Sequence, residues 1–529
     1  MPILFVPFGE FSPDAGWFSG DDMLKTGLVD ILGLFPAHGD YFVAPDIQAA
    51  TAQIGGASAP ITYGHHVHAG SATAYSFVGS TVKLWEYGSA LTDVTRAAGA
   101  YTTPDTVSGW QGTSFGDSVI MTNFVDDPQI QLTRGAQFVK LASSVFDPKF
   151  RYCFPIRNNL FIANLNLAAG YDGLSAGANP TLVAWSQSDA PRFFGSFRAD
   201  PQYVGADYQP LNNDFGEIVG SIGGDFGIVF QRLGAVRIDG PPYQFRDLPG
   251  VICRYPNSIV RVGDDVYYWG MAGPTRLTGG QGFPEVVGYG RVARSLSRPA
   301  VSSTLTLNPA VAPIYVSGSH DPELGIILWS YSSLGSPPTE GTSLVAYSYR
   351  DDRFGFFLPK GSDGVSAGCL FMKGLPPNSA NGILGQRFVE RRALTNPPPD
   401  FLANFKLDAL STTSFSLTRA YIQPDPERTS IVKRVRPIIN FDDPSPGFQV
   451  FLFVRSTSTA HGTAGVVVSG AHTTRDNQGW VVVPGGTKAA NFHSISLSYS
   501  SNGVAKLSDR VHEFEGFEID YELGGKFSA

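Results

Sequence analysis

Charge is what this sequence has least of. Asp, Glu, Lys and Arg make up 16% of its 529 residues, too few to clothe the solvated faces of many surface helices. Cysteine is scarce as well. Cys153, Cys253 and Cys369 are odd in number, far apart and set in apolar runs, which argues against a disulfide framework or a CxxC metal site and reads as three reduced core thiols. Long apolar runs are missing: "GLVDILGLF" is broken by Asp30, so no membrane span is expected. The opening "MPILFVPFGEFSPD" lacks the basic stretch and the longer apolar run of a signal peptide. Synthesis in the cytoplasm is the expectation.

The familiar catalytic signatures are also missing. There is no P-loop, no dinucleotide fingerprint, no H-E-x-x-H and no basic stripe with interleaved aromatics. What is abundant is turn and strand material: 60 Gly, 38 Pro and 12% aromatic residues. That composition predicts an all-β chain of short strands and tight turns. At 529 residues one ordinary core is too small, and a repetitive fold accounts for the length.

The net charge of −8 is unevenly placed. Residues 1–150 carry 14 acids and 6 bases, and the remainder carries 32 of each. Proteins that grip nucleic acid through phosphates are basic, because their affinity comes from displaced counterions, so a DNA-gripping role is not expected.

Several segments repeat one form, a turn followed by two short alternating strands. They begin at Ala74, Gly116, Asn158, Gly224, Gly263, Leu324 and Gly368. The first places a hairpin turn at Gly79-Ser80. Turn residues Asp117, Asn159, Asp225, Asp265 and Glu323 are separated by 42, 66, 40 and 58 residues, compatible with propeller blades of roughly 40–50 residues plus loop insertions. The spacing predicts a β-propeller of about six or seven blades over 74–393, a Pro-rich linker over 394–401 around "NPPPD", and a C-terminal β-sandwich or barrel over 402–529. Residues 1–73 are left as an N-terminal arm, a propeller closure or a docking segment, with a short helix or turn suggested at Asp21–Leu34.

Candidate chemistry has a plainer explanation at each place. "GTSFG" (Gly112–Gly116) matches G-x-S-x-G, but a strand rather than a helix follows, which argues against Ser114 as a nucleophile. "HHVH" (His65, His66, His68) resembles a metal clasp, yet lacks a companion motif and reads as an exposed loop. The Asp21-Asp22, Asp126-Asp127, Asp264-Asp265, Asp351-Asp352 and Asp442-Asp443 pairs lack the calcium-loop pattern and suit turns that cap their own backbone. In the terminal strand, Phe517, Ile519, Tyr521 and Leu523 alternate with Glu518, Asp520 and Glu522, while the reversed parity at Phe514 calls for a bulge at Gly516. The acidic row reads as a solvated outer face or an assembly contact. No catalytic, cofactor-binding or metal-binding residue is assigned, and no cofactor is expected.

One further pattern is more specific. "WSQSDAP" supplies Trp185, Ser186, Asp189 and Pro191, and "VGDDVYYWGMAGPTRL" supplies Val262, Gly263, Asp264, Val266, Tyr267, Trp269, Gly273 and Leu277. Together with the hydrophobic-acidic final strand, these resemble the hub or nozzle (tail tubular) proteins of short-tailed bacteriophages, whose propeller strands read W/Y-S-x-x-D-x-P and V-G-D-x-V-Y. The resemblance implies a non-enzymatic virion protein of the phage tail. It implies a ring, usually of six copies, below the portal and adaptor and beside tail fibres or spikes, through which genomic double-stranded DNA is retained and then ejected. An alternative from composition is a carbohydrate-binding or depolymerising tail receptor, since Asp, Tyr and Trp can stack on and bond to sugars.

Overall fold

A computed structural model describes residues 61–406 except 68–74, 89, 105–107, 142–145, 197–198, 291, 298–305, 312, 323, 335–341, 360–366, 374–386 and 393–399. It also describes 3–7, 10–11, 27–37, 40–44, 46–49, 54, 415–422, 428–440, 450–457, 466–467, 480–482, 492–499 and 513–526. Within them the regular structure is β, relieved by 3-10 turns and one short helix, Ala293–Ser297.

Among the described residues, consecutive strands form seven antiparallel sheets in chain order. The first holds Ile61–Val67, Tyr75–Ser80, Leu84–Tyr87 and Leu91–Asp93, and the second Gln111–Phe115, Ser118–Thr122, Gln129–Gln131 and Val139–Lys140. The third is Lys149–Ile156, Asn159–Leu167, Gly177–Gln187 and Ala190–Phe194, with Asp207–Pro210 added beside Gly177–Gln187. The fourth is Ile218–Ile222, Phe226–Gln231, Gly234–Asp239 and Gln244–Pro249, and the fifth Val260–Val262, Asp265–Gly270, Gly273–Leu277 and Glu285–Val286. The sixth starts with Ser317–Asp321, Ile326–Tyr331, Ser343–Ser348 and Arg353–Phe357. The seventh starts with Ala367–Phe371, Arg387–Arg392 and Asp400–Lys406.

Local chemistry makes these hairpins. Gly116 (φ 55°) and Gly263 (φ 59°) take the left-handed conformation that a tight strand-to-strand turn demands and that a Cβ would oppose. The first hairpin departs slightly from the sequence expectation. Gly79 and Ser80 belong to the strand and the turn falls at Thr81-Val82, where the Ser80 hydroxyl accepts from the Val82 and Lys83 amides at 3.2 and 3.0 Å.

Each sheet then buries its faces against its neighbours. Phe77 and Leu84 of the first meet Val119 and Met121 of the second; Ile120 and Ile130 meet Leu160 and Ile162 of the third. Phe161 and Trp185 meet Val229 and Val236 of the fourth, and Ile228 and Phe230 meet Val266 and Tyr268 of the fifth. Tyr267 and Trp269 meet Ile327 and Trp329 of the sixth, whose Ile326 and Leu328 meet Cys369 and Phe371 of the seventh. Met372 and Val389 return to Ile61 and Val78 of the first. The packing is a closed, propeller-like circuit, and each fully buried Leu, Ile or Phe stabilises it by about 1.5–3 kcal/mol.

The N-terminal region stitches this circuit. Leu34–Ala37 and Asp40–Val43 extend the sixth sheet, and Asp46–Ala49 pairs with Asp400–Lys406 as the last strand of the seventh. Gly27–Leu32, within the segment expected to hold a short helix, is a strand because it pairs with Phe415–Ile422; Asp21–Thr26 lies outside the described residues. The triple proline is likewise outside them, but Asp400–Lys406 after it returns to the seventh sheet. The sheet succession therefore runs past residue 393, because strand pairing resumes beyond the prolines.

Two further sheets follow. One is ordered Ile3–Pro7, Glu513–Lys526, Arg428–Asn440 and Val481–Val482; the other includes Glu10–Phe11, Gly27–Leu32, Phe415–Ile422, Phe492–Tyr499, Val450–Thr457 and Val466–Val467. Val432, Val435, Phe517, Ile519, Ile422 and Ile495 share one core with Trp269 and Trp329 of the circuit. In the final strand the register shifts between Ile438↔Gly516 and Ile439↔Phe514, with Glu515 as the extra residue, so a bulge corrects the parity.

Candidate functional site

The first strands of the sheets meet around the middle of the circuit. Two joints show the arrangement. His65 bridges Lys373 in parallel, with the His66 amide donating to the Lys373 carbonyl at 2.7 Å and the Lys373 amide to the Gly64 carbonyl at 2.9 Å. Ile156 bridges Gly224 in the same sense.

Hydrogen bonds then cross between sheets that are not neighbours. Lys373 Nζ, just after the first strand of the seventh sheet, donates to Gln111 Oε1 of the second at 2.7 Å. Gln111 Nε2 donates to Asn257 Oδ1, ahead of the fifth sheet, at 2.9 Å and to the Ser108 carbonyl at 2.7 Å. Such bonds are made across the centre, so a polar cluster occupies the throat. Gln111 and Asn257 are buried, and Lys373 is partly so.

The cluster is electrostatically unusual. Burial pushes the Lys373 ammonium down to about 8, with the Cys153 and Cys253 thiols nearby acting the other way. Burial lifts both thiols to about 12, so they are inert neutral groups. All three cysteines are free and buried.

His65 and Ser114 belong to the same cluster. His65 Nε2 lies 3.0 Å from Ser114 Oγ, while His65 Nδ1 has no hydrogen-bond partner. Burial, and then the Lys373 charge, push His65 down to about 3. A serine beside an imidazole of such low basicity, with no acid orienting the ring, is a poorly activated nucleophile. Ser114 lies on the strand Gln111–Phe115 that turns directly into another strand, without the elbow of a hydrolase.

The histidines thus differ from the exposed loop expected of them. His65 and His66 lie within a buried strand flanked by Tyr75–Ser80 and the Met372–Lys373 segment, and His66 Nδ1 bonds Ser76 Oγ at 2.9 Å. His68 is outside the described residues, as are Asp21, Asp22, Asp442 and Asp443. No group of three or more His, Cys, Asp or Glu able to hold a metal occurs among the described residues. Asp126 accepts from the Thr102 amide and Arg96, Asp265 from Arg276 and the Gly279 amide, and Asp351 from Ser348. These carboxylates brace turns and loops.

The acidic row is corrected in part. Glu522 is exposed as expected, Glu518 is partly buried and Asp520 is buried, and Arg436, Arg434 and Lys433 of the adjacent strand pair with Glu518, Asp520 and Glu522 in order. Trp480 lies under the Arg434 and Arg436 guanidinium groups at 5.0 and 5.2 Å from the ring centre. Cross-strand register places each base opposite or diagonal to an acid.

The residues of the tryptophan and glycine motifs hold turns. Trp185 Nε1 donates to the Gly205 carbonyl at 2.9 Å, Ser186 Oγ accepts from the Leu160 amide at 3.0 Å, and Asp189 takes φ 57°. An open depression of about 460 Å³ lies where the third, fourth and fifth sheets turn, lined by Arg157, Asp225, Arg261 and Asp264 among others. Arg261 is already engaged by the carbonyls of Gly223, Phe226 and Gly263 and by the Phe226 ring.

No family model matches the chain, and no curated protein matches it. Among solved structures it is similar to the computationally designed Ika8 protein, with 10% identity, 70% of this chain and 96% of that one covered, and a TM-score of 0.36. It is also similar to YCF48 bound to D1 peptide, with 9% identity, 69% and 97% coverage and a TM-score of 0.36. At such scores neither likeness adds to what the sheets themselves establish. No helix among the described residues is long and apolar enough to cross a membrane.

Proposed function

We propose that the seven-sheet circuit is a seven-bladed β-propeller closed by Asp46–Ala49, that the two further sheets form a sandwich on it, and that the protein is a non-catalytic component of a short phage tail. In this reading copies of the chain, six in number, stand side by side as the nozzle or hub, contact the head–tail adaptor and the fibres or spikes, and surround a passage for duplex DNA. The observation that carries the reading is the filled throat. Hydrogen bonds from Lys373 through Gln111 to Asn257 occupy the centre of each circuit, so a conduit lies between copies rather than through one. The sequence resemblance at Trp185–Pro191 and Val262–Leu277 supplies the class of assembly, and the excess of acids in residues 1–150 disfavours adhesion to phosphate.

Electron microscopy of the assembled protein and of purified virions tests it. The expected image is a six-fold ring on the tail axis with a duplex-wide passage bounded by neighbouring copies. A monomer at high concentration, with no ring containing this chain on the virion, overturns the proposal.

A further inference from the structure

We propose that copies of this chain join edge to edge through the sheet that holds the final strand, with Ile3–Pro7 of one copy lying antiparallel beside Val481–Val482 of the next. The inference rests on the ring reading and names the contact that builds the ring. It starts from two edges. The sheet runs Ile3–Pro7, Glu513–Lys526, Arg428–Asn440, Val481–Val482, and among the described residues its two outer strands pair on one side only. Edge strands are ordinarily guarded by charges. The stretch Ile3–Val6 carries none, and Ile3, Phe5 and Val482 are 59%, 51% and 54% exposed. Neighbouring strands are antiparallel throughout, so the two outer strands run in opposite directions. A second copy set alongside in the same orientation therefore continues the antiparallel order.

Register and charge select these unlike edges. Ile3 is opposite Asp520, Asp520 opposite Arg434 and Arg434 opposite Val482, so the four form one row on one face. The row reads apolar, acid, base, apolar, with the ion pair closed inside the copy. Phe5, Glu518 and Arg436 form the next row on that face. The acids thus flank the Ile3 edge and the bases flank the Val482 edge. Joining unlike edges sets Ile3 against Val482, a β-branched cross-strand pair, and aligns the acid-to-base dipoles head to tail. Joining two Ile3 edges instead turns acid toward acid. A contact between unlike edges repeats from copy to copy, and it closes as a ring when each step adds the right rotation. The overlap is short, because Pro7 has no N–H to donate and the facing strand has two residues. Each copy makes the contact at both edges, and ring closure makes the contacts mutually supporting.

A full chain carrying both Ile3→Cys and Val482→Cys, gently oxidised after assembly and run on non-reducing denaturing gels, tests the contact. Within one chain these positions lie at opposite edges of the four-stranded sheet, about 14 Å apart and beyond the reach of a disulfide, and the native thiols are buried. The expected result is a ladder of covalent multimers from the double variant and monomers from each single variant. Rings in the electron microscope without a ladder overturn this contact and leave the ring reading standing; absence of rings from the wild type overturns both. Dimers from Ile3→Cys alone show like edges meeting and also overturn the contact. Should the double variant fail to fold, Phe5→Lys, at an exposed position, decides. It is expected to weaken self-association by about tenfold or more in sedimentation, and undiminished assembly overturns the proposal.

Discussion

Arg434 Nε lies 2.8 Å from Asp520 Oδ2 across adjacent strands, and the aspartate side chain is 1% exposed while the arginine side chain is 39% exposed. The asymmetry sets the order of mutational costs. Arg434→Ala leaves a buried carboxylate without its partner, and we expect a loss of roughly 3 kcal/mol. Asp520→Ala leaves an arginine that water reaches, for about 1–2 kcal/mol. Lys433→Ala, at the more exposed pair with Glu522, stays within about 0.5 kcal/mol. Denaturant unfolding measures all three, and a Lys433 effect as large as that of Arg434 contradicts the ranking.

One carboxylate takes part in closing the circuit. Asp400 Oδ2 accepts from the Ile61 amide at 2.5 Å and its carbonyl from the Ile54 amide at 2.8 Å, linking the seventh sheet to the first. Asp400→Ala removes a buried acceptor from the Ile61 amide at a cost of about 2 kcal/mol. Hydrogen exchange then quickens in Ile61–Val67 before it does in Gly234–Asp239, on the far side. Uniform quickening throughout contradicts a local closure.

Three buried histidines confer acid sensitivity. Burial lowers His65 to about 3 and His320 and His493 to about 4. Below the ordinary value near 6.5 the unfolded chain binds protons that the folded one refuses, so stability falls as pH drops from 6.5 toward 4. Each contributes about 1.4 kcal/mol per pH unit. Unfolding midpoints of the wild type and His493→Gln, compared from pH 7 to 4.5, converge on acidification; a constant difference contradicts the assignment.

Lys373 acts in the opposite range. The folded state holds its proton less tightly, at about 8 against 10.5, so the penalty is full below pH 8 and fades as pH rises to 10.5. At pH 7, Lys373→Met is expected to be more stable by about 2 kcal/mol, after loss of the Gln111 bond. The advantage shrinks by pH 10. A destabilised variant at pH 7 shows that the hydrogen bond outweighs desolvation.

Asp189 tests whether the tryptophan motif is a turn device. Its φ of 57° suits Gly and Asn. Asp189→Asn stays within about 0.5 kcal/mol and Asp189→Val costs about 1–2 kcal/mol, read from thermal midpoints. Equal effects of both point to a role for the carboxylate itself.

Alternating short strands, turn glycines at 116 and 263, the bulge near Gly516 and the repeated hairpin were legible in the sequence because each depends on residues a few positions apart. The partners of Lys373 and of the acidic row were not legible. Nothing local marks Gln111 as the residue that meets Lys373, 262 positions away, and an acidic strand looks solvated until a basic neighbour is known.

Periodicity and turn chemistry alone therefore determined that the chain builds antiparallel sheets in succession. Only tertiary structure decided that Asp46–Ala49 ends the seventh sheet, that His65 and His66 are interior, and that the Lys373 ammonium meets Gln111 across the centre. The physical reason is range: hydrophobic alternation acts within a strand, whereas closure, desolvation and charge pairing arise when distant strands converge.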